Sequence, residues 1–323
     1  MRLTMRVLAG LGCFAAGVLG AEAQSYPQRA IRVIVPGPAG GNVDNVARPL
    51  AQKIGDAMGQ PWVIDNRTGA GGNLAVELAA KAMPDGYTLL LSQSGPLVIS
   101  PSLYRSVPYN VDKDFVAIAM IARSPMALVV HPGVPARTVR QLVVLAKARP
   151  DSLNFASSGS GGAIHLAGEM FKSMAGVKMI HVPFKVTTQA IASLIAGEVD
   201  LMFDGITSAV PQIRAHRLRV LGVSSNERVA ALPEVPTINE AGVPGYEVVS
   251  WFGLLAPAGT PREALTRIGH EFSKIAATAE FRELLLRQGA TPTPSNAELL
   301  VSQMRDDTAR WAKLIRASGL KAD

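Results

Sequence analysis

The chain has 323 residues, 48% of them hydrophobic and 18% charged, which is enough for about two folded domains and rules out global disorder. A single cysteine excludes a disulfide framework, an iron–sulfur cluster and a cysteine-based zinc site. The net charge of +7 comes from scattered residues, with no basic run and only 5% aromatic residues, so no binding to nucleic acid is expected.

The first 23 residues have the three-part pattern of a secretory signal peptide. Arg2 and Arg6 precede an uncharged apolar run at 7–19, and a small-x-small cleavage site follows at 21–23. The run is too short to span a bilayer comfortably. Cys13 lies within it, but cleavage at 21–23 is favoured over a lipid anchor on that cysteine. The sequence therefore predicts a cleaved signal peptide and a periplasmic mature protein.

In the first half of the mature chain, short apolar strands alternate with helical stretches. Strands are predicted at 31–35, 62–65, 87–91 and 115–121. The first three strands each run into a turn rich in glycine or serine. These turns supply the first candidate ligand-binding residues: Pro38, Ala39, Gly40, Gly41, Asp44, Gly71, Gly72, Ser92 and Ser94.

The second half of the chain repeats this plan, with strands predicted at 152–156, 179–183, 200–203 and 218–224. Its turns supply the remaining candidate ligand-binding residues: Ser157, Ser158, Gly159, His165 and Asp204. Two further strands, at 127–131 and 248–256, are predicted to connect the halves. The remainder, 261–323, is expected to be helical and to pack back onto the first half. Its last helix places four apolar residues on one face: Leu300, Met304, Trp311 and Ile315.

The repeated pattern predicts an α/β fold of two doubly wound lobes, each a mostly parallel sheet with helices on both faces, joined by a two-crossing hinge. Lobe 1 is expected to comprise 24–125 plus 250–323, and lobe 2 to comprise 126–249. Because ligands bind beyond the carboxyl ends of such strands, the turns should face each other across a cleft. Backbone N–H groups at helix starts, with serine hydroxyls, suit a small carboxylated molecule.

Several of these residues also have a purely structural interpretation. Tight turns alone would explain the glycines. Asp44 is favoured as a helix cap, with binding of a ligand amine or a water as the alternative. His165 is expected to pack against its helix rather than to donate to an anion. For Asp204 a structural role and a ligand or water role remain equally open.

No enzyme signature is present, and no catalytic residue, metal or cofactor is predicted. The serine turn at 157–162 lacks the G-x-S-x-G spacing of a nucleophile elbow, and no histidine or aspartate is placed to partner it. The five histidines have no metal-ligand spacing, and the glycine turn at 69–75 lacks the acidic partner of a dinucleotide site. An exported serine hydrolase remains the alternative to a binding protein, and an esterase assay would separate the two.

Ordered motifs run through nearly the whole mature chain: Tyr26-Pro27, Ile34-Val35-Pro36, Pro38-Ala39-Gly40-Gly41-x-x-Asp44, Asn66-Arg67-x-Gly69-Ala70-Gly71-Gly72, Pro84-Asp85-Gly86-Tyr87-Thr88-Leu89, His165-Leu166-Ala167-Gly168-Glu169, His181-Val182-Pro183, Leu232-Pro233-x-Val235-Pro236-Thr237 and Ala256-Pro257-Ala258-Gly259-Thr260-Pro261. In this order they resemble the tripartite tricarboxylate transporter receptor family, also called Bug proteins.

The resemblance implies a non-catalytic, monomeric periplasmic receptor of the type II binding-protein fold, whose lobes close like a Venus flytrap on a carboxylated solute. It implies that the first-lobe glycine turns hold one carboxylate, with water bridges, and that the second lobe selects the rest. Membrane permease subunits are the implied partners, and a membrane sensor kinase is the alternative partner. Gly37 replaces a usual phenylalanine and Val186 a usual glycine, which leaves the class intact but puts the usual ligands in doubt.

Overall fold

The structure is a computed structural model that describes residues 26–160, 162–293 and 296–319. Within these ranges ten strands form one curled, mixed sheet, which helices cover on both faces. The predicted signal peptide and Gly161 lie outside the described residues. In the part of the chain described, no helix is both long enough and apolar enough to cross a bilayer.

The strands are β1 (Ile31–Pro36), β2 (Trp62–Arg67), β3 (Thr88–Gln93), β4 (Phe115–Val130), β5 (Asn154–Ser157), β6 (Ile180–Pro183), β7 (Leu201–Gly205), β8 (Arg219–Val223), β9 (Val249–Pro257) and β10 (Thr291–Pro292). The helices are α1 (Asn42–Met58), α2 (Asn73–Ala80), α3 (Ser100–Leu103), α4 (Val111–Asp114), α5 (Val139–Ala148), α6 (Ala163–Ala175), α7 (Thr187–Ala196), α8 (Ile206–Arg214), α9 (Arg262–Ala277), α10 (Ala279–Arg287) and α11 (Ala297–Ser318).

The sheet contains the same three-stranded parallel unit twice, once on each side of β9 and β4. Along the sheet the order is β2-β1-β3-β9-β4-β7-β5-β6, and β8 and β10 also pair with β4. The set β2-β1-β3 is parallel, and so is the set β6-β5-β7. Each set therefore defines one lobe, here called the first and the second lobe. The predicted α/β class, with two lobes and a two-crossing hinge, is confirmed.

Strands β4 and β9 carry the chain between the lobes and pair antiparallel with each other. Residues 115–125 of β4 pair with β9, and residues 126–130 pair with β7 and β8. The sequence predicts two separate strands here, which is wrong, because β9 runs beside β4 through the polar residues Arg123 and Ser124. The short strand β10 is also missed, since its two residues lie in a stretch expected to be helical.

The C-terminal helix α11 covers the hinge region. Leu300, Trp311 and Ile315 are buried on one face of it, as the spacing predicts. The indole Nε1 of Trp251, in β9, donates to Oδ2 of Asp307 in α11 across 2.7 Å. The helix is thereby fixed to the strand along which the chain returns to the first lobe.

Candidate functional site

Asp44 holds the turn between β1 and α1. Its Oδ2 accepts the N–H of Gly40 at 2.7 Å and Nε of Arg48 at 2.7 Å, and its Oδ1 accepts Nδ2 of Asn66 at 3.0 Å. Burial alone would raise the pKa of this carboxyl, but these hydrogen bonds outweigh burial and the pKa lies below its ordinary value. Asp44 therefore reaches back to fasten the turn, and it does not cap the helix from the position of Gly41.

The two glycine N–H groups predicted to hold a carboxylate are both engaged inside this turn. The Gly40 N–H donates to Asp44, and the Gly41 N–H donates to the carbonyl of Pro38 at 3.1 Å. The next backbone donors are those of Asn42 and Val43, which open α1 and at a helix start have no intrahelical acceptor. The sequence locates the turn, but it does not show which N–H groups the turn uses for itself.

The second turn, between β2 and α2, contains glycines with two different roles. Gly72 has φ 99°, and a Cβ there would lie 2.6 Å from Cγ of Pro96 and 3.1 Å from Cβ of Pro36, so this position is required by packing. Gly71 has φ 64°, and a Cβ there would lie 3.1 Å from the hydroxyl of Tyr104. Tyr104 thus brings a hydroxyl to this turn from a segment that carries no sequence signal for it.

Ser92 and Ser94, at the end of β3, are both buried and both bonded within the protein. The hydroxyl of Ser92 donates to the carbonyl of Gln93 at 2.9 Å. The hydroxyl of Ser94 lies 3.0 Å from that of Ser250 in β9. Ser94 therefore joins the end of β3 to the hinge strand, while the Ser92 hydroxyl is bonded within β3.

In the second lobe, Ser157 is paired with a histidine that the sequence analysis did not place beside it. Its fully buried Oγ donates to the carbonyl of Gly159 at 2.9 Å and lies 2.6 Å from Nε2 of His181. Which of the two atoms donates in the contact with His181 depends on the tautomer of the histidine. Ser157 thus fixes the turn in which half-buried Ser158 and Gly159 follow it.

His165 packs in the first turn of α6, as expected. It is 6% exposed, and its ring stacks on that of His181 with 3.8 Å between the centroids. Its Nε2 lies 3.7 Å from Oε1 of Glu169, which also accepts from Lys172 at 2.7 Å. Burial lowers the pKa of His181 to about 4, and the nearby Lys172 acts in the same direction, while the Glu169 carboxylate opposes part of the change.

Asp204 lies at the carboxyl end of β7, completely buried. Among the described residues, no donor makes a hydrogen bond of good geometry to either of its carboxylate oxygens. Burial raises its pKa to about 6, although the Ser208 hydroxyl and the Gly205 N–H lie near enough to oppose part of the rise. Asp204 is therefore a buried acid that lacks the partners such a group requires.

The predicted residues thus gather in two sets. Those of the first lobe lie at the carboxyl ends of β1, β2 and β3, and those of the second lobe at the ends of β5 and β7 or at the start of α6. Neighbouring parallel strands end at the same edge of a sheet, so each set forms one polar rim. Within the described ranges, no three His, Cys, Asp or Glu side chains are grouped so that they could hold a metal ion.

Comparison with known proteins gives concordant matches. Residues 46–320 match the model of the family described as "Tripartite tricarboxylate transporter family receptor". Protein BugT of Bordetella pertussis is 35% identical over 98% of this chain and 98% of its own length. A UPF0065 protein from a tcbD-tcbE intergenic region of Pseudomonas sp. (strain P51) is 40% identical over 98% of this chain and 95% of its own.

Solved structures show the same likeness. The structure of R. palustris Rpa4515 with adipate has a TM-score of 0.86 and 34% identity, covering 92% of this chain and 99% of that one. The structure of MatC (Rpa3494) from Rhodopseudomonas palustris with bound malate has a TM-score of 0.81 and 31% identity, covering 90% of this chain and 100% of that one. Both bound molecules are small dicarboxylates.

Proposed function

Because this chain belongs to the tripartite tricarboxylate transporter receptor family, we propose that it captures a small carboxylated solute in the periplasm and delivers it to the permease subunits of a tripartite membrane transporter. The observation that carries the proposal is the pair of similar structures that hold adipate and malate. A membrane sensor kinase is the other possible recipient, and the neighbouring genes would distinguish the two.

The proposed binding site is the cleft between the two polar rims. One ligand carboxylate would lie against the first-lobe turns, where the start of α1 directs the N–H groups of Asn42 and Val43 outward and the helix dipole favours an anion. Gly71 and Tyr104 would flank it. The second-lobe turn around Ser158 would complete the site.

In this proposal three of the residues predicted to bind ligand do not touch it but hold the backbone that does. Asp44 shapes the first turn through its bonds to Gly40 and Asn66, and Ser157 shapes the second-lobe turn through Gly159. Ser94 anchors the end of β3 to the hinge strand. Their replacement would weaken binding by moving the backbone groups around them.

The hydrolase alternative gains a histidine from the structure but not a mechanism. Ser157 has no exposed surface, and its Oγ contacts the carbonyl of Gly159 at 2.9 Å. Burial lowers the pKa of the histidine beside it to about 4, which makes that histidine a weak base. We therefore favour binding without chemistry.

We further propose that lobe 1 comprises 24–125 plus 250–323, that lobe 2 comprises 126–249, and that the two close on the ligand. Neither rim alone surrounds a small anion, so contacts to both are gained only when ligand is present, which is the differential affinity a population shift requires. Small-angle scattering with and without bound ligand tests this. An unchanged radius of gyration at saturation would show a rigid binder.

Binding is tested by a thermal-shift screen followed by titration calorimetry, with adipate, malate, tricarboxylates, amino acids and aromatic acids. A ligand present at 100 times its Kd stabilises the protein by about 2.7 kcal/mol. Gly41→Val should lose binding, because its Cβ would stand 3.0 Å from the carbonyl oxygen of Pro38 and distort the turn. Gly269→Val in α9 is the matched control, since its Cβ meets only Cγ2 of Ile118 at 3.9 Å. Absence of binding by every compound would contradict the proposed function.

Export is tested separately by intact-mass measurement of protein taken from the periplasm. Cleavage after Ala23 predicts a chain that begins at Gln24. A mass that retains the first 23 residues, or a lipid on Cys13, would contradict the proposed processing.

A further inference from the structure

The buried carboxyl group of Asp204 has no hydrogen-bond partner of good geometry among the described residues, which suggests that its partner is a bound ligand. Side chains alternate along β7, so Asp204 lies on the same face of the sheet as Met202, in the second-lobe core, and Phe203 lies on the other face. In the antiparallel register Asp204 is opposite Ala127 of β4. Continuing the parallel register beyond Ala156 and Met202 places Ser158 level with Asp204. The backbone register thus places Asp204 level with the turn proposed to contact ligand.

No charged group of the described elements packed around Asp204 offers it a counter-ion. β4 faces it with Ala127, and α7 carries no charged residue. In α8 the only charge is Arg214, at the far end of the helix from Asp204. Helix α6, with His165 and Glu169, packs on the other face of the sheet through Leu166 and Phe171. The polar groups close to it are Ser208 and the Gly205 N–H, both uncharged.

A carboxylate buried without donors is strongly disfavoured, whereas a neutral carboxylic acid loses much less on burial. A neutral acid also carries a proton that it can donate. A ligand carboxylate arriving beside it would favour that neutral form still more, because two carboxylates that share a site cannot both remain ionised.

We propose, on the basis of the function proposed above, that ligand binding takes up one proton from solvent onto Asp204, which then donates a hydrogen bond to a ligand carboxylate. The second lobe thereby recognises an acid group without a basic side chain. Ligand capture becomes more favourable as the medium becomes more acidic. The burial-raised pKa of about 6 of Asp204 in the free protein is consistent with this role.

A ligand amine would change the number of bound protons in the opposite direction from a ligand carboxylate. A ligand ammonium placed beside Asp204 would favour the ionised carboxylate, so binding would release a proton and strengthen as the pH rises. The direction of proton transfer therefore distinguishes recognition of an acid from recognition of an amine.

The experiment is titration calorimetry of the full mature chain with adipate, and with malate and other dicarboxylates as further probes, at pH 7.5 in phosphate and in Tris. These buffers differ in ionisation enthalpy, so the difference in measured heat counts the protons taken up. We expect close to one proton per ligand, and a Kd that rises about tenfold per pH unit between pH 7 and 8. Uptake near zero, or release, in a protein that binds a dicarboxylate would overturn the proposal.

Two variants make the assignment specific. Asp204→Asn keeps a neutral hydrogen-bond donor in the same place, so it should bind with no proton uptake and with a Kd that stays flat over this pH range. Asp200→Asn is the matched control, because Asp200 lies at the other end of the strand and accepts the Asn154 N–H at 2.8 Å. It should retain the uptake. Uptake that persists in Asp204→Asn would overturn the assignment. Failure of every carboxylated compound of the screen to bind would overturn the proposed function along with it.

Discussion

The carboxylate of Asp44 accepts the backbone N–H of Gly40, four residues earlier in the chain, across 2.7 Å. The bond closes the first glycine turn from inside, while Asn66 of β2 holds the other carboxylate oxygen at 3.0 Å. The turn is therefore built before any ligand arrives, and Asp44 contributes to stability as well as to binding geometry.

Asp44→Asn should lower the free energy of unfolding by about 1–3 kcal/mol at pH 7, because hydrogen bonds to an ionised carboxylate are replaced by weaker ones. The pKa of Asp44 is lower in the folded protein than in the unfolded chain. Its contribution is therefore present above the unfolded pKa and is lost as the pH falls through the folded value. Urea unfolding at pH 7 and pH 3 should show a deficit that shrinks in acid. Asp56→Asn, on the exposed face of α1, is the control. An equal deficit at both pH values would contradict this account.

Gly72→Ala and Gly40→Ala separate packing from backbone conformation. Both glycines have positive φ, at 99° and 74°, but only Gly72 would place its Cβ against another residue, 2.6 Å from Cγ of Pro96. We expect a loss of about 3 kcal/mol for Gly72→Ala and about 1 kcal/mol for Gly40→Ala. Urea unfolding of the two variants measures both. Equal losses would show that conformation alone accounts for Gly72.

His181 should make the protein less stable in mild acid. Its pKa is about 4 in the folded protein, against an ordinary value of 6.5. As the pH falls from 6.5 towards 4, the unfolded chain gains a proton that the folded protein does not, so stability decreases. His181→Gln removes this pH-dependent contribution to stability. The Tm of the variant should therefore fall less over that range than the Tm of the parent protein. His270→Gln, on the exposed face of α9, should behave like the parent. Identical slopes for His181→Gln and the parent would refute the assignment.

Trp251→Phe should destabilise the protein more than Trp62→Phe, by about 1–3 kcal/mol. The indole N–H of Trp251 donates to Asp307, which is only 2% exposed, whereas that of Trp62 is buried with no hydrogen-bond partner among the described residues. Loss of the indole from Trp251 deprives a buried carboxylate of a donor, and loss from Trp62 removes an unsatisfied one. Thermal unfolding of the two variants and of the parent protein, with the unfolding enthalpy determined for each, measures the difference between the two losses of stability. Equal losses would show that the Asp307 contact contributes little.

Much of the fold was predictable because each strand–helix unit is short and is ended by glycine or proline. Gly197, for example, ends α7 in a left-handed conformation with φ 76°, as its position suggests. The single strand β4 was not predictable from local sequence. Ser124 and Pro125 are typical of a break, and only the neighbouring strand β9, distant in the chain, keeps them extended.

For the candidate site, the positions of the turns were predictable, but their internal bonds were not. The pairing of Ser157 with His181 depends on the register of β5 on β6, in which Phe155 lies opposite His181. A shift of one residue would point that histidine to the other face of the sheet, and nothing in the local sequence specifies this register. That no described residue makes a hydrogen bond of good geometry to Asp204 is likewise a property of the assembled core.

The position of β9 between β3 and β4 has a consequence for the order in which the molecule can assemble. All the partners of the second-lobe sheet lie between β4 and β8, so this sheet can form as soon as that stretch has left the ribosome. The first-lobe sheet cannot form at that stage. Its strands β3 and β4 keep open edges, which are sites for wrong pairing, until β9 arrives after the whole second lobe. The earliest part of the chain to emerge is thus among the last to become native, and it depends on segments near the carboxyl end to do so.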